Sequence, residues 1–138
     1  MGNSKEAKIL VIEDEPGLAQ LYQLVGKGVG LSPEAFAVVD STADAEKLLG
    51  ENPDHLPQLI LLNLHLPGEY GLTFLQRIKE KDSPLQHIPV VVVTAEVFPD
   101  VKKRCQDLGA ADCLIKPFHI ETLRETIQSL LPRTSPTE

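Results

Sequence analysis

Five residues far apart in the chain carry side chains suited to handling a phosphoryl group: Glu13, Asp14, Asn63, Thr94 and Lys116. Each stands at or just past the end of an apolar run. Glu13, Asp14 and Glu15 put oxygen ligands on one short segment, which suits a hard cation such as Mg²⁺. The same segment also reads as a helix start, with Asp14 or Glu15 as cap ahead of Pro16. Thr94, followed by Ala95, can offer a hydroxyl to a phosphate, or can simply end a β-run. Lys116 can neutralise an anion, or can be a solvated lysine; Pro117 after it marks a turn and allows a cis bond. Asn63 ends the run Leu59-Ile60-Leu61-Leu62. An aspartate at that point could attack phosphorus. An asparagine cannot, because its oxygen carries no full charge and its nitrogen lone pair is delocalised. The set describes a phosphoryl-accepting pocket without its nucleophile.

Buried strands are the elements that would bring these residues together. Apolar runs at 8–13, 36–40, 58–63, 89–94 and 112–115 are rich in Ile, Leu and Val without strict alternation. That pattern fits strands covered on both faces. Between them lie amphipathic stretches. Their apolar stripes are Leu18, Leu21, Tyr22 and Val25; Ala45, Leu48 and Leu49; Leu72, Leu75 and Ile78; Val101, Cys105 and Leu108; and Ile120, Leu123, Ile127 and Leu130. Pro99 suits the first turn of the fourth helix. Gly50 and Gly109 stand where helices should stop. Gly26-Lys-Gly-Val-Gly30 follows a helix rather than a strand, so it reads as a turn and not as a dinucleotide loop. Five strands, each followed by a helix, predict an α/β fold with a doubly wound parallel sheet. Ligand crevices of such sheets lie at the carboxyl ends of the strands, where all five residues fall.

The totals are consistent with this. A chain of 138 residues fits one domain with one sizeable core. No apolar stretch approaches a membrane span, and the first residues lack a secretory core. The net charge of −7 and pI near 5.1 argue against direct contact with nucleic acid. Cys105 and Cys113 show no metal spacing and no disulfide framework, which suits a cytoplasmic setting. His55, His65, His87 and His119 form no chelating pair and read as surface residues.

Taken jointly, the order Glu-Asp, strand-end Asn, Thr-Ala and Lys-Pro-Phe is specific. The stretches Ile9-Leu-Val-Ile-Glu-Asp-Glu-Pro16, Leu59-Ile-Leu-Leu-Asn-Leu-His-Leu-Pro-Gly68, Val92-Val-Thr-Ala95 and Gly109-Ala-Ala-Asp-Cys-Leu-Ile-Lys-Pro-Phe118 resemble the receiver domain of two-component response regulators, the CheY-like family. The resemblance runs from residue 5 to residue 131, with 1–4 and 132–138 expected as flexible termini. It implies a flavodoxin-like (βα)5 fold with strand order 2-1-3-4-5. It also implies that a histidine kinase phosphorylates an aspartate at the position of Asn63. Glu13, Asp14 and the backbone carbonyl of His65 would help hold Mg²⁺. Thr94 and Lys116 would bind the phosphoryl oxygens. Cys113 stands where the family usually has a switch aromatic, and its small side chain is expected to serve ordinary packing.

Asn63 removes both the acceptor and one negative charge, so Mg²⁺ is expected to bind weakly at best. The leading expectation is a non-enzymatic pseudo-receiver that binds a histidine kinase or an output protein. The contact face would be the fourth helix, fifth strand and fifth helix, and a homodimer is compatible with it. Lys116 is expected to hydrogen-bond the Asn63 side-chain carbonyl. Two rivals stay open: an ordinary phosphoacceptor receiver carrying an Asp-to-Asn change, and an Mg²⁺-dependent α/β enzyme using Glu13 or Asp14 as acid–base groups.

Overall fold

The computed structural model describes residues 8–95 and 100–131. Strands β1 (Ile9–Ile12), β2 (Phe36–Val39), β3 (Leu59–Asn63), β4 (Val90–Thr94) and β5 (Asp112–Ile115) form one parallel sheet in the order β2-β1-β3-β4-β5. Helices α1 (Pro16–Gly28), α2 (Thr42–Glu51), α3 (Gly71–Ile78), α4 (Val101–Asp107) and α5 (Ile120–Leu130) follow the strands in turn. A short 3₁₀ turn, Pro33–Ala35, leads into β2.

The near-continuous apolar runs arise because the sheet is buried on both faces. Leu10, Ile12, Ile60, Leu62, Val90 and Val92 point to one side, where they meet Ala45, Leu49, Phe74, Leu75 and Cys105 from α2, α3 and α4. Their neighbours Ile9, Val11, Leu59, Leu61, Val91 and Val93 point to the other side, against Tyr22, Val25, Leu123 and Ile127 from α1 and α5. The two-residue strand period thus divides the apolar content into two cores. Among the described residues no helix is long and apolar enough to cross a membrane.

Most elements match their expected positions, with strand ends trimmed by a residue. Three local expectations fail. Gly50 does not stop α2, which runs through it to Glu51; open space surrounds Gly50, so only weak helix propensity is at stake. Gly26 and Gly28 belong to α1, so of the segment expected as a turn only Val29 and Gly30, the latter at φ +92°, form one. Gly26 is there because a Cβ would lie 2.3 Å from the Phe36 ring, so the helix can approach β2 only without a side chain. Ile120, assigned to an apolar stripe, is 53% exposed at the first turn of α5. Gly109 does end α4, at φ +99°. Pro99 lies outside the described residues.

Register places the strand-end residues. Ile12 pairs with Val39 on one side and Leu62 on the other, so Glu13 emerges beside Asn63. Asn63 pairs with Val93, and Thr94 with Ile115, which sets Lys116 next in line. The chain leaving β3 then folds back at once. The Gly71 N–H donates to the Leu64 carbonyl at 2.8 Å, and a Cβ on Gly71 would sit 2.7 Å from the Asn63 carbonyl oxygen and 2.8 Å from the Leu64 Cα. Those neighbours are backbone and cannot swing away. Gly71→Ala is therefore expected to destabilise the fold by about 2 kcal/mol or more. Gly17→Ala, in open space on α1, should leave stability unchanged or slightly raised. Urea unfolding midpoints of the two variants check the contrast.

Candidate functional site

The Asn63 side chain, almost fully buried, is the hub of the strand-end cluster. Its Nδ2 donates to Glu13 Oε2 at 3.1 Å, to Asp14 Oδ1 at 3.3 Å and to the His65 carbonyl at 3.2 Å. Its Oδ1 accepts from the His65 N–H at 3.3 Å. This orientation of the amide is over-determined: the nitrogen faces three acceptors and the oxygen faces one donor. Two N–H bonds shared among three oxygens leave at least one three-centre contact.

Glu13 is the buried member of the acidic segment, at 4% exposure, while Asp14 and Glu15 are exposed. Burial pushes the Glu13 carboxyl pKa up, and the Lys116 charge pulls against that shift. Lys116 Nζ lies 4.0 Å from Glu13 Oε1 and 3.5 Å from Glu15 Oε1. The expected Lys116–Asn63 bond is absent. The Asn63 oxygen faces the loop after β3, where the His65 N–H takes it, and the ammonium pairs with full carboxylate charges in preference to a neutral amide. The capping expectation also shifts. Glu15 stands at the cap of α1 without a side-chain bond, and Glu13 Oε2 accepts the Glu15 N–H at 3.2 Å. Glu13 Oε1 makes no hydrogen bond among the described residues.

The other expected residues fall where the register sends them. Thr94 is wholly buried, its carbonyl accepting the Lys116 N–H at 2.7 Å, and Ala95 is exposed beside it. The Lys116-Pro117 bond is cis. His65 is exposed, and its ring meets Tyr70 edge-on at 5.7 Å. Cys113 is buried in β5, away from this cluster and under α4.

A second group, not singled out by the sequence, holds the loop that carries His65. Arg77 on α3 donates through Nη1 and Nη2 to Glu69 Oε2 and Oε1 at 2.8 and 3.0 Å, and through Nε to Glu46 on α2 at 2.7 Å. The Thr42 hydroxyl donates to Glu69 Oε1 at 2.5 Å. Arg77, then Thr42, hold the Glu69 carboxyl well below its ordinary range, at about 2. Bonds from residue 69 to residues 42 and 77 leave no local signal, since neither spacing matches a helix-face pair.

The oxygens around Asn63 match the donor types of a divalent-cation site, but the present arrangement does not fit a cation. Mg²⁺ needs oxygens at about 2.1 Å and none of its ligands can be an N–H donor. Here an amide N–H₂ group points into the space between Glu13, Asp14 and the His65 carbonyl. Turning Oδ1 inward would break its bond from the His65 N–H and bring two donors face to face. No group of three or more His, Cys, Asp or Glu side chains among the described residues is placed to hold a metal. An incoming phosphoryl group would meet three carboxylates, with Lys116 already engaged by two of them.

The family model described as the response regulator receiver domain matches residues 9–128. The transcriptional regulatory protein CiaR of Streptococcus pneumoniae is 36% identical over 128 residues, covering 92% of this chain and 52% of that protein. The response regulator ArlR of Staphylococcus aureus is 33% identical over 126 residues, covering 91% and 53%. The chain therefore spans about half the length of the curated relatives it matches. Among solved structures, the Mn²⁺-bound form of the response regulator Rcp1 superposes with a TM-score of 0.73 at 28% identity, covering 94% of this chain and 98% of that one. The chemotaxis protein CheY4 of Vibrio cholerae gives 0.70 at 25% identity, covering 91% and 98%. The strand order matches the one the receiver resemblance implied.

The Glu69 ion pair makes a pH-dependent contribution. A carboxyl near 2 in the folded chain, against 4.5 ordinarily, stabilises the fold above pH 4.5, and that stability is lost as pH falls toward 2. Because both partners are partly exposed, the contribution is about 1 kcal/mol. Between pH 4.5 and pH 2, wild type should lose more stability than Arg77→Met by that amount. Denaturant midpoints measured across the range read the difference directly.

Proposed function

The chain belongs to the response-regulator receiver family, and from that premise we propose that it is a pseudo-receiver: a two-component signalling module that works without phosphorylation at residue 63. The observation that carries the reading is the triple contact of the Asn63 amide with Glu13, Asp14 and the His65 carbonyl. One group replaces the nucleophile and also supplies positive hydrogens where the oxygens would otherwise need a cation. The amide thereby engages Glu13 Oε2, Asp14 Oδ1 and the His65 carbonyl together, with no ligand required.

Loss of the acceptor leaves protein–protein contact as the means of signalling. The partner is a histidine kinase or an output protein, engaged through α4, β5 and α5, and the module has no enzymatic step of its own. Net charge of −7 favours a protein partner over nucleic acid. Mg²⁺ binds weakly, at millimolar concentration, because coordination costs the His65 N–H bond to Asn63. A cytoplasmic location follows from the same reading.

Intact mass after incubation with Mg²⁺ and a small-molecule phosphodonor tests this on wild type and Asn63→Asp together. Wild type should gain no labile phosphoryl group, and the aspartate variant should gain one. A phosphorylated wild type sinks the reading. If neither gains mass, the surrounding pocket has diverged as well, and phosphorylation-independence stands on wider grounds. Millimolar Mg²⁺ should also raise the melting temperature of Asn63→Asp more than that of wild type, because the third carboxylate strengthens binding to the folded state. Equal shifts would remove the amide as the obstacle to the metal.

A further inference from the structure

β2 is an edge strand: it pairs with β1 and has no neighbour on its other side. The Val39 carbonyl accepts the Glu13 N–H at 2.9 Å, so Ala37 and Val39 turn their backbone groups toward β1. By the two-residue period, the N–H and C=O of Val38 point the opposite way, out of the sheet. No backbone hydrogen bond among the described residues reaches them. The strand, Phe36-Ala-Val-Val39, carries neither charge nor proline, two devices that keep such an edge from pairing. The Val38 side chain is itself 42% exposed.

Helices α1 and α2 lie on opposite faces of the sheet, one in each apolar layer, and both overhang this edge. Between them runs a groove of about 750 Å³. Val38, Val39 and Asp40 line its base, Ala19 and Gln23 line it from α1, and Leu48 lines it from α2. The groove is strongly acidic. Glu13, Asp14, Asp40, Asp44 and Glu51 border it, against one lysine, Lys47. Glu13 and Asp14 are engaged by the Asn63 amide. Asp40, Asp44 and Glu51 are exposed and take part in no ion pair among the described residues.

We propose that this groove docks an extended, basic segment of a partner protein, which adds to β2 as a further strand of the sheet. Main-chain bonds to Val38 supply the pairing, and the exposed Val38 side chain meets an apolar one. Lysine or arginine side chains of the segment reach Asp40, Asp44 and Glu51. A second copy of this chain is a poor occupant. Each copy carries a net charge of −7, and an edge-to-edge pair would bring the same carboxylates together. β2 is the edge opposite β5, so this docking is separate from the α4–β5–α5 face and independent of Asn63.

Amide NMR spectra of the isotope-labelled protein, titrated with the capped peptide acetyl-Lys-Val-Lys-Val-Lys-Val-amide, test the proposal. The Val38 N–H should move downfield and gain protection from hydrogen exchange, with the largest shifts in β2 and the facing turns of α1 and α2. A Glu-Val peptide of the same pattern should not bind. A Lys-Val peptide methylated on every backbone nitrogen keeps its charge but cannot donate to a strand, and should bind at least about tenfold more weakly. Val38→Pro removes the outward N–H and should weaken binding of the unmethylated peptide by a similar factor; its circular dichroism checks the fold. The combined variant Asp40→Asn, Asp44→Asn and Glu51→Gln should bind more weakly and with less dependence on salt. Absence of binding at millimolar peptide would overturn the proposal. So would equal binding of the methylated peptide, or shifts centred on α4 and α5. Val38 shifts that follow the protein's own concentration, without peptide, would assign the edge to a second copy and overturn it equally.

Discussion

One amide group occupies the centre of the strand-end cluster. The Asn63 nitrogen sits among three oxygens that would repel one another if nothing positive lay between them. An N–H₂ group supplies partial positive charge without the dehydration cost of a metal ion, and it is covalently attached to the chain. The oxygen of the same amide is held by the His65 N–H, so the group cannot turn without breaking what it makes. The acidic side chains after β1 and the loop after β3 meet at that arrangement.

Electrostatics explains why the cluster keeps its acids. Glu13 is buried and its carboxyl is harder to ionise than usual, yet Lys116 and the Asn63 amide both favour its charged form. Lys116 in turn is shared between Glu13 and Glu15, one buried and one exposed. Breaking either side of such an arrangement leaves a buried charge without compensation, which costs more than the pair itself contributes. The clamp of Arg77, Glu69 and Thr42 then fixes the loop from outside. The cluster is held from below by the sheet register and from the side by this clamp.

The fold was largely legible in the sequence because burial on both faces leaves a strong mark. Runs such as Val90–Thr94 and Leu59–Asn63 admit few other readings. The strand-end residues were legible for the same reason, since a run that stops at a polar residue locates the edge of the sheet. What escaped was side-chain direction. The partner of Lys116 depends on which way an amide turns, and the bond of Glu69 to Arg77 depends on how a loop folds back. Neither follows from spacing. The role of Gly26 escaped because a close helix–strand approach and a flexible turn both call for glycine.

The division of the core has a mechanical consequence. Val101 and Cys105 of α4 belong to one apolar layer, while Leu123 and Ile127 of α5 belong to the other. The sheet lies between those layers, and β5 is the outermost strand bridging them. The edge strand therefore works as a spine with a leaf on either side. The tilt of one leaf can change while the filling beneath the other stays undisturbed. A surface built across that spine therefore rests on two separate apolar layers joined through a single strand.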